Sequence, residues 1–176
     1  MVADGSPQTS AGDLPRLRDG LLGRQASRRR SAGRPHGFWW DGWAHDEERP
    51  IGRGHEAAYL VRREAVDEVG PQDERYVLDW EGFDWTDRFR AAGWETWLAP
   101  GAVVCHLGGD SVRQVPLRWI YSHHRGMYLY FSERMHPGWR PALAAAFTVR
   151  GALKAAGALA GLPLYRSDKR RVGKEC

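Results

Sequence analysis

Disulfide chemistry has little to work with in this sequence: Cys105 lies in an apolar run and Cys176 is the last residue, and these are the only two cysteines in 176 residues. Two cysteines make no disulfide framework, which excludes the small secreted scaffolds and leads us to expect a reducing, cytoplasmic setting. Long apolar runs are missing too. The first thirty-odd residues hold none, so no secretory signal is expected. No stretch of ~18 uninterrupted apolar residues occurs, so no membrane span is expected either. A large excess of one charge is also lacking. The 26 Lys and Arg against 22 Asp and Glu leave a formal +4, concentrated in Arg28-Arg29-Arg30 and Lys169-Arg170-Arg171. Such runs read as solvated or membrane-surface segments, and no nucleic-acid partner is expected.

What the chain does have is tryptophan, nine in all, far too many for a disordered protein, and enough length to bury the core of one domain. Residues 1–36 are rich in Gly, Ser, Arg and Pro and read as a loop-rich start. His36 to Trp43 is a dense aromatic cluster, either a packed loop or the wall of a sugar site. Ala57 to Val61 reads as a short apolar strand. Arg63 to Val69 reads as a short helix, closed by Gly70 with Pro71 behind it.

The stretch from Tyr76 to His106 organises the rest. It gathers Asp79, Glu81 and Asp84 with Trp80, Trp85 and Trp94 around a helical segment that stops at Gly93. A strand from Glu95 to Leu98, a Pro100-Gly101 turn and an apolar strand from Ala102 to Cys105 follow, ending on His106. Carboxylates at a loop-to-helix junction followed by a histidine at a strand end form a polar cluster of the kind that substrate sites use.

Leu107 to Ser111 reads as a loop. Val115 to Met135 has helical periodicity, with Leu117, Ile120, His124, Met127, Tyr128 and Phe131 at three- and four-residue steps. After a break at Gly138-Trp139-Arg140-Pro141, Ala142 to Leu162 reads as an amphipathic helix with Arg150 and Lys154 one turn apart. It is too short and too charged to span a bilayer. It either packs on its own domain or lies on a membrane surface with its basic residues at the headgroups. The resulting partition is 1–36, 37–135, 136–165 and a tail, 166–176, whose composition breaks from the rest and which reads as extraneous to the domain.

Taken in order, Ala57-Ala-Tyr-Leu-Val-Arg-Arg-Glu-Ala65, Val69-Gly70, Asp73-Glu74-Arg75-Tyr76, Trp80-Glu-Gly-Phe-Asp84, Arg88, Ala92-Gly-Trp94, Pro100 and Val104-Cys-His106 resemble the second half of a family-2 glycosyltransferase. The resemblance is to the rhamnosyltransferase-like kind that builds bacterial surface polysaccharides. Asp4-Gly5-Ser6, Gln8 and Ser10 resemble the Asp-Gly segment that precedes it, so the match runs from about Asp4 to Phe131. The resemblance implies an α/β chain forming the C-terminal, acceptor-side half of a GT-A domain. The first half of such enzymes, with its nucleotide-binding strands and Asp-x-Asp motif, has no counterpart here, so the chain by itself is expected to be inactive.

The implied reaction is inverting transfer of a sugar from a nucleoside-diphosphate sugar to a glycan or lipid-linked acceptor. It needs a carboxylate to take the acceptor's proton and positive charge on the departing diphosphate, usually a divalent magnesium or manganese ion. In the resembling enzymes an acidic pair stands where Glu81-Gly82 are. Only Glu81 is acidic here, so Glu81 is the expected base, with Asp79 or Asp84 able to share the work. Asp84 also stands where a helix starts and reads as an N-cap, and Arg88 follows it at ion-pair spacing. The resemblance places His106 at the metal or diphosphate and makes Arg125, with His123 and His124, a weaker diphosphate candidate. Trp80, Trp85 and Asp79 are expected on the acceptor side, the tryptophans as a sugar platform or as core. The metal would be held mostly by the absent half. The enzyme is expected to be cytoplasmic, at the inner membrane face. The alternative is a non-catalytic membrane-surface or partner-binding module.

Overall fold

A computed structural model of the chain describes residues 8–23, 26–27, 37–40, 43–106 and 114–161. The expectations placed on Asp4-Gly5-Ser6, Arg28 to Arg30, the Leu107 to Ser111 loop and the 166–176 tail lie outside the described residues. In chain order the elements are β1 (Ala11–Gly12), α1 (Leu17–Leu22), β2 (Arg49–Ile51), β3 (Arg53–Gly54), α2 (Arg63–Val69), α3 (Glu81–Ala91), β4 (Thr96–Leu98), α4 (Pro116–Arg134), a 3-10 turn (Pro137–Trp139) and α5 (Arg140–Leu159). The chain is thus mixed α/β. It divides into two compact units that do not follow linear order: described residues up to 72 with 82–106 form one, and 73–81 with 114–161 the other.

In the first unit, β1 pairs antiparallel with β3, and β2 with β4 in the register Arg49 to Leu98 and Ile51 to Thr96. Ala11, Trp40 and Ile51 are buried between these two small ladders, with Trp43 and Leu98 packed against them. Arg53, only 3% exposed, is the cation at the centre. Its guanidinium lies 4.4 Å from the Phe38 ring, 4.3 Å from Trp39 and 5.0 Å from Phe83, and donates to Asp13 O at 3.2 Å and Phe38 O at 2.5 Å. Arg49 stands 5.3 Å over Trp40 and 5.0 Å over Trp43. The aromatic cluster is therefore a packed loop whose ring faces are taken by two arginines, not a sugar wall.

Helix stops follow the sequence. Gly70 (φ 84) ends α2 and Gly93 (φ 88) ends α3, both in the left-handed region that glycine enters without a Cβ penalty. Two expected strands do not form. Ala57 to Val61 is a turn and irregular chain, because the Tyr59 hydroxyl folds back to donate to Gly54 O at 3.0 Å and to accept from Gly54 N–H at 3.2 Å. Ala102 to Cys105 forms no ladder with a described strand and leaves Val103 62% exposed, and a strand needs a neighbouring strand to hold it. Cys105 is disulfide-bonded. It is exposed on this irregular segment, where a thiol is accessible to pair.

The second unit is an α4/α5 hairpin joined by the 3-10 turn. Ile120, Met127, Tyr130 and Phe131 of α4 and Leu143 and Phe147 of α5 are all buried, and the Phe131 and Phe147 rings stack across the hairpin at 6.0 Å. Both helices carry proline in the first turn, where its missing N–H costs nothing. Within Pro137–Leu159 an 18-residue window has a mean hydropathy of 1.3, with 11% of that window buried, and the segment is long and apolar enough to cross a membrane by length and composition. That corrects the expectation that it was too short and too charged; its few basic residues are spaced among alanines and leucines, and counting only uninterrupted runs missed it. Inside the hairpin, His124 donates through Nδ1 to Ile120 O at 2.6 Å, leaving Nε2 to accept from Arg150 Nη1 at 2.7 Å. Burial, with Arg150 and Lys154 nearby, pushes His124 down to about 4 against the upward pull of its bond to Ile120.

Two outcomes follow from these buried polar groups. Arg53→Leu keeps a large side chain but strips two carbonyls of their donor, and unfolding measurements should show a loss of about 2–4 kcal/mol. His124 binds its proton near pH 6.5 when unfolded and near 4 when folded. Between those values the unfolded chain holds the extra proton, so the stability is present above ~6.5 and drains as pH falls toward 4. His124→Gln, which retains a donor and an acceptor, should flatten the slope of melting temperature against pH in that window.

Candidate functional site

The second unit builds its site around a strained turn. Asp79 (φ 77) and Trp80 (φ 80) are consecutive non-glycine residues in the left-handed region. Each such residue costs about 1–3 kcal/mol and persists only where its surroundings over-determine it. Here they do. Trp80 is 3% exposed and sits among Tyr130, Phe131 and His123 at ring distances of 5.4, 5.7 and 5.9 Å. Gly126 on α4 makes this possible: a Cβ there would come within 2.9 Å of the Trp80 Cβ.

The Asp79 carboxylate is the second anchor. Its Oδ2 lies 2.6 Å from His123 Nδ1, and its Oδ1 accepts the Trp80 backbone N–H at 3.2 Å. The Trp80 indole N–H also points at His123 Nδ1, at 3.2 Å. That nitrogen cannot accept from the indole and donate to the carboxylate together, and the shorter, charge-assisted contact assigns its proton to Asp79. Burial pushes the Asp79 carboxyl up, but His123 beside it, with hydrogen bonds from His123, the Trp80 backbone and Trp119, holds it below its ordinary value. Lys154 completes the group, 4.3 Å over the Trp119 ring and lowered to about 8 by burial and by Arg150.

Glu81 follows this turn as the first residue of α3. Its Oε2 is buried and has no hydrogen-bond partner among the described residues. Burial raises its pKa, its own backbone N–H pulls the other way, and the charge of Asp79 raises it further. A carboxyl so placed has proton-accepting capacity that no ion pair consumes, and a raised pKa brings it toward the range where a general base works best. Asp79, by contrast, is committed to its neighbours.

The remaining expected residues fall elsewhere. Asp84 is inside α3, not at its N-cap, because the helix begins one turn earlier at Glu81. It is 3% exposed and pairs with Arg88 Nε at 2.8 Å, and Arg88 also donates to Val69 O and Pro71 O at 2.9 and 2.8 Å. Trp85 donates to Gly70 O at 2.9 Å and packs on Phe89 at 4.8 Å. Asp84, Trp85 and Arg88 together tie α3 to the end of α2. Trp80, with its faces covered, is core rather than a sugar platform. Arg125 donates to the backbone carbonyl of Arg75. At Gly82 the room left by the missing side chain is filled by Glu56, whose Cδ would lie 2.0 Å from a Cβ.

His106 lies in the first unit, its Nδ1 3.1 Å from Gln8 Oε1 across 98 residues of chain, and its ring 4.8 Å from that of His55. Two motif pieces that the sequence set far apart, Gln8 and His106, do meet. The described residues contain no group of three His, Cys, Asp or Glu able to hold a metal. Two imidazoles fall short of the three or four protein ligands a tight divalent site uses, so these residues do not fit a metal centre on their own. The first unit's shallow cavity, about 270 Å³, is lined by Pro50, Thr86, Arg90, Trp94 and Thr96 among others and holds none of the expected site residues.

Sequence reasoning did not single out Trp119, and it read Lys154 only as a headgroup contact. The signal available was spacing: Trp119 and His123, and likewise Arg150 and Lys154, are four apart and share a helix face.

No family model matches the chain, and no solved structure does. Curated relatives do. Over 124 residues the chain is 36% identical to the N-acetylglucosaminyl-diphospho-decaprenol L-rhamnosyltransferase of Mycobacterium tuberculosis, in each of two strains. The aligned stretch is 70% of this chain, which spans 38% of those relatives' own length. The chain is a relative of part of a rhamnosyltransferase, of the family-2 glycosyltransferase kind that its sequence resembles.

Proposed function

We propose that this chain carries the acceptor-side half of a GT-A glycosyltransferase, which moves a sugar, by inversion, from a nucleoside-diphosphate donor to a lipid-linked or glycan acceptor in cell-wall synthesis. It would work on the cytoplasmic side of the membrane. The likeness to the mycobacterial enzymes supports the reaction class, and the name of those enzymes supports a lipid-diphosphate-linked sugar as acceptor. The observation that carries the residue assignment is the buried Oε2 of Glu81, which has no hydrogen-bond partner among the described residues.

In this reading Glu81 takes the proton of the acceptor hydroxyl as it attacks the donor sugar. The Asp79–His123 pair and Trp80 do not touch the reacting atoms; they hold the turn that aims Glu81. A divalent ion, where one is bound, would neutralise the departing diphosphate, with His106 as the residue of this chain that the family resemblance puts nearest to it.

The test is a chimera in which this chain replaces the matching stretch of the mycobacterial relative, assayed for sugar transfer. Glu81→Gln keeps size and hydrogen bonding but cannot accept a proton, and turnover should fall by ~10²- to 10⁴-fold with donor affinity unchanged. Because the Glu81 pKa is raised, activity of the parent should be lost as pH drops through a value above that of an ordinary carboxylate. Asp84→Asn should act on melting temperature instead, through the weakened pair with Arg88. Near-normal turnover in Glu81→Gln, beside collapse in a folded Asp84→Asn, would move the base to Asp84.

A further inference from the structure

Helix α5 has two faces of different chemistry. Leu143 and Phe147 are buried against α4, at 4% and 1% exposure. The basic residues of its second half turn the same way, Arg150 to His124 at 2.7 Å and Lys154 over Trp119 at 4.3 Å. They are therefore not the headgroup contacts that the sequence suggested. From Pro141 to Leu159 every exposed residue is uncharged, and Ala145, Val149, Leu153, Ala156 and Leu159 recur at three- and four-residue steps. Val149, Leu153 and Leu159 are 58%, 69% and 75% exposed. At the N-terminal end of this stripe stand exposed Trp139 and Arg140.

We propose that this outer face of α5 docks on an anionic bilayer surface, lying in the plane of the interface. A span is disfavoured because α4, packed along α5, carries Arg118, Arg125, Glu133 and Arg134, and immersing the pair would strip these of water. In-plane docking asks for no such loss. The apolar stripe, about 30 Å long in a 20-residue helix, enters the acyl boundary. Trp139 sits at headgroup depth, and Arg140 meets lipid phosphate. That charge complementarity at one end, beside an unbroken small-residue stripe, favours lipid over a protein partner.

The experiment is flotation of the full chain with vesicles of phosphatidylcholine alone or mixed equally with phosphatidylglycerol. The chain should float with the anionic vesicles and less with the neutral ones. Val149→Glu with Leu153→Glu should cut partitioning at least about tenfold, since two apolar side chains leave the lipid, with circular dichroism unchanged because both sites are exposed. Leu153→Gln adds no charge and should weaken partitioning about fivefold, which keeps the test alive if the double variant loses its helix. Arg140→Gln should erase much of the preference for anionic lipid. Failure of the native chain to float, or equal flotation of the variants, overturns the proposal. So does a soluble dimer that the same substitutions dissociate without any vesicle binding, which would give the face to a second copy.

Discussion

The contact on which the second unit depends is the 2.6 Å hydrogen bond between Asp79 and His123. It fastens a turn with no intrinsic reason to exist, since two L-residues in succession hold positive φ there. Without an external partner the chain would relax to an extended or right-handed conformation, and the residue after the turn would leave the place where its carboxyl is now buried. Trp80 and Gly126 act with that bond as one lock, the indole filling the gap that the absent Cβ leaves. Strain in the backbone, burial of a large aromatic and a charge-assisted hydrogen bond thus offset one another over two consecutive residues. Because the bond is to a helix that follows some forty residues later, a local feature of the site is guaranteed by a distant part of the sequence.

The first unit solves a related problem with a cation. Its ladders are only two or three residues long and would be marginal as isolated hairpins. Arg53 supplies the missing cohesion by filling the space between three aromatic rings while its donors satisfy two loop carbonyls. A buried arginine is tolerated there because its charge is met by ring faces and carbonyl dipoles on several sides.

Helices were legible in the sequence wherever a three-to-four-residue apolar period met a glycine or proline stop, as in α2, α3 and α4. The two lost strands show what the sequence withholds: Ala57 to Val61 and Ala102 to Cys105 are apolar enough, but a strand is made by its neighbour, and composition names no neighbour. Among the site residues, Glu81 could be singled out because it stood without a structural task. The N-cap role assigned to Asp84 failed because the helix start was misplaced by one turn. The turn at Asp79 and Trp80 was invisible, since positive φ in residues other than glycine leaves no compositional trace. His106 meeting Gln8 was accessible only through the family pattern, not through any local rule.

The lock between Trp80 and Gly126 also has a temporal side. Residues 73–81 leave the ribosome well before α4 does, and at about 5–20 residues per second the gap between Trp80 and Gly126 amounts to roughly 2–9 s. During that interval an indole destined for 3% exposure and a carboxylate destined for a histidine have no partners. The nascent chain must carry this stretch unfolded, open to chaperones and proteases, until the second half of its own unit has been made.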